Sequence, residues 1–270
     1  MRVVIKANGG LGNRMRVLAS CVALSKRLRN EVEVIWINRL EFNCSYHQLF
    51  KPIEGVKIVE KRYISKFNRL GLRRRKAYYK NYGSDFQIQI GDSEIRSIKK
   101  IKSDFVKLIQ DFETVYIDTC EQFYGDESHL AYLIPQDSIT KKIEQRLNKL
   151  GSHFVGVHIR RGDNQISTET STIEAFTQSI EKEIAKANSK VYVCTDSLKE
   201  LNHLKKKFGS SIVHFPVGLR RNKPAHIESA LVDLLLLSKA SKIYGSYWSS
   251  FSEIASAYGG VELEMVGKEN

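Results

Sequence analysis

Short β-branched apolar runs alternate along the chain with segments whose apolar residues recur every three or four positions, the signature of strands and amphipathic helices taken in turn. Val3, Val4 and Ile5 predict a buried strand, Asn8-Gly9-Gly10-Leu11-Gly12-Asn13 a glycine loop, and Met15, Val17, Leu18, Cys21, Val22 and Leu24 a helix reaching about Leu28. Strands follow at Val32 to Ile37 and near Val56 to Val59, with Trp36 and Phe50 as core aromatics. The strand-like Phe86 to Ile90, a helical Ile95 to Ile109 and a strand Val115 to Ile117 complete a first domain. Asp137-Ser138 after Pro135 caps a helix with Ile139, Ile143, Leu147 and Leu150 on one face, ended by Gly151. The domain boundary is therefore placed near Pro135, giving an N-terminal domain 1–135 and a C-terminal domain 136–270.

The second half repeats the rhythm. Strand Phe154 to Ile159 leads into a polar loop, Gly162 to Thr170, and Ser171-Thr172-Ile173-Glu174 is a capping box for a helix to about Ala187. Strand Val191 to Cys194, a turn at Thr195-Asp196-Ser197 and a helix carrying Leu198, Leu201, Leu204 and Phe208 come next. Strand Ile212 to Phe215, the basic loop Arg220 to Pro224, helix Ala225 to Ala240, strand Lys242 to Tyr244 and helix Phe251 to Tyr258 complete the chain. Repeated strand, loop and helix units imply an α/β protein with parallel sheets covered on both faces.

Composition is ordinary for a folded protein, with 42% hydrophobic residues, and neither a repeat nor a low-complexity tract is present. Charge changes the picture: the net is +13, and Lys61, Arg62, Lys66, Arg69, Arg73, Arg74, Arg75, Lys76 and Lys80 crowd one segment before the first acid, Asp85. Such a segment suits an anionic partner, whether nucleic acid, an anionic membrane surface or a phosphorylated substrate, or is simply a solvated basic loop. The four cysteines, Cys21, Cys44, Cys120 and Cys194, are far apart and form no Cys-x-x-Cys pair, so reduced thiols in a cytosolic protein are expected. The N-terminus has no signal-type apolar core, and the longest apolar stretch, Leu234 to Leu237, is too short to span a bilayer. The expected location is cytoplasmic, with the basic segment 61–80 a candidate for peripheral contact at the inner face of the membrane.

The chemistry gathers at the carboxyl ends of the second set of strands. His158, Arg160, Arg161, Asp163, Thr195, Asp196, Ser246, Ser249 and Ser250 follow those strands, and in an open parallel sheet such ends share one edge. Guanidinium groups donate bidentate, charge-assisted bonds to phosphate, and Ser249 and Ser250 open a helix whose N-terminus adds backbone donors. Arg160 ends an apolar strand, a costly place for an unpaired cation. Other readings stay open: Arg161 pairing with Asp163 or Asp196 in a structural ion pair, His158 as a hydrogen-bonded core histidine, and Ser249 and Ser250 as plain helix caps. The glycine loop matches neither the dinucleotide fingerprint, since Met15 stands where the third glycine belongs, nor the phosphate loop, and by itself is a tight turn.

His158-Ile159-Arg160-Arg161-Gly162-Asp163 resembles the His-x-Arg-Arg-Gly-Asp motif of the α-1,2-, α-1,6- and protein O-fucosyltransferase superfamily, which includes nodulation-type bacterial fucosyltransferases. Gly9-Gly10-Leu11-Gly12-Asn13 is similar to its N-terminal Gly-x-x-Gly-Asn loop, Val193 to Ser197 to its second motif, and Asp233 through Ser249-Ser250-Phe251-Ser252 to its third. The resemblance implies a GT-B-like fold of two Rossmann-like domains with a cleft between them, an inverting mechanism, and GDP-fucose bound mainly by the C-terminal domain while the N-terminal domain faces the acceptor. Arg160 would neutralise the β-phosphate and the departing oxygen, and Asn13, with Gly10 and Gly12 in its loop, would reach the same region. His158 and Asp233 would contact the ribose or guanine, and Ser249, Ser250 and Phe251 the pyrophosphate, with Arg161, Asp163, Thr195 and Asp196 completing the donor side.

Displacing GDP builds negative charge on the leaving phosphate, which a preorganised arginine stabilises more in the transition state than in the ground state. No Asp-x-Asp occurs in the chain, which favours metal-independent catalysis with no cofactor besides the GDP-sugar donor. Glu169, one residue beyond the family's glutamate position, is the candidate acceptor base. Asp163 competes with it, as does proton transfer to the departing phosphate with no side-chain base. The expected acceptor is a glycan or lipid-linked glycan of a bacterial surface or exported polysaccharide. The alternatives are a transferase using another nucleotide sugar, and a nucleic-acid-binding protein using Lys61 to Lys80 with its interleaved tyrosines; the latter leaves the Arg160 strand and the serine cluster without a role.

Overall fold

The computed structural model describes residues 1–39, 41–63, 85–162, 165–187, 189–216, 218 and 223–267. Most of the basic segment, from Lys66 to Lys80, lies outside the described residues, as do Asp163 and residues 220–222. The chain divides into two compact units, Met1–Gln136 with Arg221–Ile227, and Asp137–Arg220 with Glu228–Asn270.

In the first unit, β1 (Arg2–Ala7), β2 (Val32–Arg39), β3 (Val56–Tyr63), β4 (Ile88–Gly91) and β5 (Thr114–Thr119) form an all-parallel sheet in the order β3-β2-β1-β5-β4. The glycine loop after β1 opens helix Leu11–Leu28, whose Met15, Val17, Leu18, Cys21, Val22 and Leu24 are buried, as the helical spacing requires. Trp36 is fully buried, with Phe42 and Tyr46 edge-on at 5.5 and 5.6 Å and its indole N–H donated to the Cys44 carbonyl. The helix expected over Ile95 to Ile109 is two helices, Asp92–Lys100 and Phe105–Ile109. The break has a local cause, since Asp104 caps the second helix by accepting from the N–H groups of Val106 and Lys107, while Lys102 adopts a left-handed φ of 52°.

In the second unit, β6 (Phe154–Ile159), β7 (Lys190–Thr195), β8 (Ile212–Val213), β9 (Ile243–Ser246) and β10 (Leu263–Val266) form a second all-parallel sheet, ordered β10-β9-β6-β7-β8. Every residue of β6 is buried, which explains its near-continuous apolar sequence. One face of the sheet presents Val155, Val157, Ile159, Val191 and Val193 to Phe176, Ile180, Leu201 and Leu204. On the other, a Cβ on Gly156 would meet Leu237 Cδ2 at 2.8 Å, so glycine lets helix Pro224–Leu237 lie close to the strand. Two elements differ from expectation. Residues expected as a loop include helix Gln165–Thr170, and the edge strand β10 was not foreseen because Leu263-Glu264-Met265-Val266 is short, is interrupted by an acid and buries only Val266 fully.

The α/β class and the two Rossmann-like sheets match expectation. All four cysteines are free, with Cys21, Cys44 and Cys194 buried. Among the described residues no helix is long and apolar enough to cross a membrane.

Candidate active site

The sheet of the second unit changes winding direction at β6. From there the chain moves outward through β7 and β8, then returns to the other side of β6 as β9 and β10. Loops leaving β6 and β9 therefore diverge, and the crevice at their carboxyl ends is where open α/β sheets take ligands. Arg160 is the first residue past β6. Its backbone N–H donates to Ser246 Oγ at the end of β9 (2.9 Å), and the same hydroxyl lies 3.3 Å from the His158 carbonyl, stitching the two strand ends together.

Asp196, just past β7, organises both arginines. One carboxylate oxygen meets the Arg160 guanidinium and the other accepts the Arg161 backbone N–H at 2.8 Å. The Arg161 side chain turns away and pairs through Nε with Glu200 at 3.0 Å. The ion pair considered for Arg161 with Asp196 is thus corrected: Arg160 takes the Asp196 carboxylate, and the Arg161 guanidinium goes to Glu200, one helical turn further on, while the alternative partner Asp163 lies outside the described residues. Gly162 closes the arrangement with φ near +21°, and a Cβ there would sit 2.8 Å from Asp196 Oδ2.

His158 is buried and stacks on Phe251, ring centroids 4.7 Å apart at 26°. Burial, and then the neighbouring Arg160 cation, hold its pKa down at about 3, so the ring is neutral at physiological pH. Its Nδ1 is buried and has no hydrogen-bond partner among the described residues, unlike the satisfied core histidine that was the alternative reading. Phe251 belongs to helix Ser250–Gly259, and Ser249 is its N-cap residue, buried and making no side-chain cap bond. That N-terminus consequently retains orphan backbone donors, the requirement for holding an anion. Thr195 ends β7 and its Oγ1 accepts from the Ser197 N–H at 3.1 Å.

Two proposed residues stand apart from this edge. Asp233 is buried on helix Pro224–Leu237, where Arg146 Nη1 (2.6 Å) and the Tyr192 hydroxyl (2.7 Å) both donate to it. Tyr192 pairs with Gly156, two residues before His158, so the Asp233 carboxylate lies one side-chain layer beneath the strand ends. Burial pushes its pKa up to about 6 despite both partners. Glu169 is exposed on helix Gln165–Thr170 and accepts from Gln165 Nε2 at 2.6 Å.

In the first unit, Gly9 has φ +78° and wraps so closely over Asn13 that a Cβ would approach Asn13 Nδ2 to 2.6 Å. Gly10 precedes the helix, Gly12 is buried in its first turn, and Asn13 is half-buried beside them. Two neighbouring groups went unremarked in the sequence. Arg14 is fully buried, its guanidinium 4.6 and 4.1 Å from the Trp36 and Phe42 ring centres and donating to the Ile37 carbonyl at 2.9 Å. Lys6 and Asn8 both donate to Asp118 at the ends of β1 and β5, the lysine at 2.6 Å. A lysine inside an apolar strand was the available signal for the second cluster. Among the described residues no group of three or more His, Cys, Asp or Glu side chains is arranged to hold a metal ion.

No family model matches the sequence, and neither does any curated protein. Solved structures do. The NodZ α-1,6-fucosyltransferase soaked with GDP-fucose aligns with a TM-score of 0.67 over 95% of this chain and 92% of that one, at 18% identity. Fucosyltransferase NodZ from Bradyrhizobium aligns at 0.62 over 94% and 91%, with 20% identity. POFUT1 in complex with GDP-fucose aligns at 0.58 over 99% and 98%, with 12% identity. These likenesses establish a shared two-unit α/β fold along nearly the whole chain.

Proposed function

We propose that this protein is a glycosyltransferase that moves fucose from GDP-fucose to a glycan acceptor. The observation that carries the reading is the strand-end constellation of the second unit: the Arg160 guanidinium oriented by Asp196, a neutral buried His158 stacked on Phe251, and the helix N-terminus at Ser249 and Ser250. It occupies the β6/β9 switch point of a fold shared with structures that hold GDP or GDP-fucose.

In this reading the diphosphate lies against Arg160 and the Ser249–Phe251 helix start. As the bond between the fucose anomeric carbon and the phosphate oxygen breaks, charge accumulates on that oxygen, and a preorganised guanidinium there contributes on the order of 3 kcal/mol to transition-state stabilisation. The acceptor hydroxyl oxygen bonds to the anomeric carbon from the opposite face, inverting it, and loses its proton to Glu169, to Asp163 or to the departing phosphate. Arginine and helix-terminus donors take the role that a metal fills elsewhere. By the motif resemblance, Asn13 in the loop with Gly10 and Gly12 is a further contact for the leaving group. The uncharged His158 is suited to a ribose hydroxyl. We further propose a cytoplasmic enzyme acting on a surface or exported glycan, with the segment 61–80 touching an anionic membrane; failure to float with anionic liposomes would remove that last element.

The test is thermal stabilisation by GDP and turnover of GDP-fucose. GDP should raise the melting temperature more than UDP does, with EDTA present, and Arg160→Ala should abolish transfer while leaving the fold intact. A preference for UDP, a requirement for divalent cation, or full activity in Arg160→Ala would each overturn the assignment.

A further inference from the structure

Trp248 is the outlier of the second unit's working edge. Its indole is 64% exposed, although it follows the fully buried Ser246 by two residues and precedes the buried Ser249. Its backbone is left-handed at φ 55°, a conformation that bulky L-residues avoid because Cβ crowds the adjoining carbonyl. An exposed tryptophan alone would mean little, and a strained residue alone could serve the chain's turn. Their coincidence at one position next to the candidate donor site is different, because strain persists only where the surroundings enforce it and is concentrated at ligand sites.

The surroundings here do enforce it. Tyr247 packs edge-on against the indole, with centroids 6.1 Å apart, and its backbone N–H is held by Ser171 Oγ at 2.8 Å. Ser171 is itself fully buried and donates to the Val266 carbonyl at 2.6 Å. A buried hydroxyl thus ties the turn to β10 and to the segment after helix Gln165–Thr170, holding the indole outward rather than letting it fold onto the core. Ile166 and Leu198 are also exposed, at 47% and 67%, and follow the neighbouring strands β6 and β7. The edge therefore combines polar groups suited to phosphate with an apolar rim that phosphate does not need.

Resting on the transferase reading, we propose that Trp248 is an acceptor-binding residue: the indole is the platform on which a pyranose ring of the acceptor stacks. The chemistry matches, since one face of a pyranose presents several C–H groups, which the negative face of an indole attracts, while the hydroxyl groups at its rim stay available for transfer. A flat, rigid side chain held in advance also loses little entropy on binding.

The protein's two tryptophans make the test direct, because Trp36 is fully buried and Trp248 is not, so red-edge emission reports Trp248. The probes are oligosaccharides ending in galactose, glucose, N-acetylglucosamine or mannose, added to the GDP-bound protein. At least one should shift the red-edge emission to the blue and, when GDP-fucose replaces GDP, be fucosylated with release of GDP. Trp248→Ala should then raise the acceptor KM tenfold or more with the GDP Kd within twofold, and Trp248→Tyr should recover most of the loss. Trp248→Gly should bind acceptor as poorly as Trp248→Ala yet melt at a higher temperature than wild type, because glycine relieves the left-handed strain. An unchanged acceptor KM in Trp248→Ala overturns the proposal. So does a GDP Kd that weakens in step, which would put the indole on the nucleotide, or a GDP-bound wild type whose emission no sugar moves. Absence of GDP binding in the wild type instead defeats the transferase reading, and this one with it.

Discussion

The neutral state of His158 predicts a specific pH dependence of stability, and the substitution that exposes it is His158→Phe, which keeps an aromatic ring against Phe251. His158 is 7% exposed with an unpartnered Nδ1, and burial together with Arg160 depresses its pKa to about 3. In the unfolded chain the imidazole protonates near pH 6.5, roughly the free-histidine value. Below that pH the unfolded state takes up a proton that the fold refuses. Stability is therefore fully present above pH 6.5 and is lost as pH falls, by about 1.4 kcal/mol per pH unit and about 2.7 kcal/mol between pH 6.5 and 4.5.

Asp233 opposes this trend over part of the range. Its pKa is raised to about 6 by burial, so the fold binds a proton below pH 6 that the unfolded chain accepts only near pH 4. Its contribution grows as pH falls and shrinks as pH rises through 6, and the wild-type profile from these two groups is consequently almost flat between pH 6 and 4. Asp233 titrates identically in wild type and His158→Phe, so the difference between their urea-unfolding free energies isolates the histidine. That difference should move by about 2–3 kcal/mol in favour of the variant between pH 7 and 4.5, on top of a pH-independent packing offset. A difference that stays constant across the range would mean that His158 protonates inside the fold, refuting both its isolation and its proposed role as a neutral ligand contact.

Two further substitutions probe the charged pairs. Asp196→Ala removes the partner of both Arg160 and the Arg161 backbone, with each side chain of the Arg160 pair about 20% exposed, and should cost about 2–3 kcal/mol, a charge-assisted hydrogen bond's worth. Differential scanning calorimetry should show a melting temperature several degrees lower; an unchanged one would show that the carboxylate does not hold the strand end. Asp233→Leu should destabilise by about 3 kcal/mol or more because it strands Arg146, 18% exposed at its side chain, whereas adding Arg146→Met should restore most of the loss. If the double variant is as unstable as the sum of the singles, the pair is not coupled.

Local chemistry was readable from the sequence, and long-range pairing was not. The β-branched runs and helical apolar spacings locate nine of the ten strands among the described residues, and most helices there, because burial on one or both faces leaves its period in the sequence. The missed strand, β10, is a four-residue strand at a sheet edge whose apolar run is interrupted by the exposed Glu264. The split of Ile95 to Ile109 was legible after all, since Ser103-Asp104 is a capping signal inside an apolar pattern that continues across it. By contrast, nothing near Arg160 names Asp196, 36 positions away, as its partner; that contact follows from β6 and β7 lying side by side in register. Nor does any pattern foretell a left-handed Trp248, because propensity argues against it. Asp163 and most of the basic segment fall outside the described residues, and the expectations placed on them rest on sequence alone.

The pairing of Arg160 with Asp196 looks at first like evidence for a merely structural arginine. Geometry argues the other way. A guanidinium carries five N–H donors in a rigid fork, and one Asp196 carboxylate oxygen engages one of its terminal nitrogens, so the contact fixes the direction of the fork. The other Asp196 oxygen holds the backbone of Arg161, whose own side chain is secured by Glu200, and Ser246 holds the backbone of Arg160. Four anchors on three strand ends are more than a surface ion pair needs to stay in place, and about what a cation needs to be rigid before its ligand arrives. At the corresponding switch of the first unit, between β1 and β5, the lysine is itself buried and closed onto Asp118, while at β6 the arginine side chain is a fifth exposed. The two sheets share a winding scheme, but of these two switch-point cations the one in the second unit is the one presented at the edge, and that asymmetry is why the proposed reading assigns the donor phosphates to the second unit.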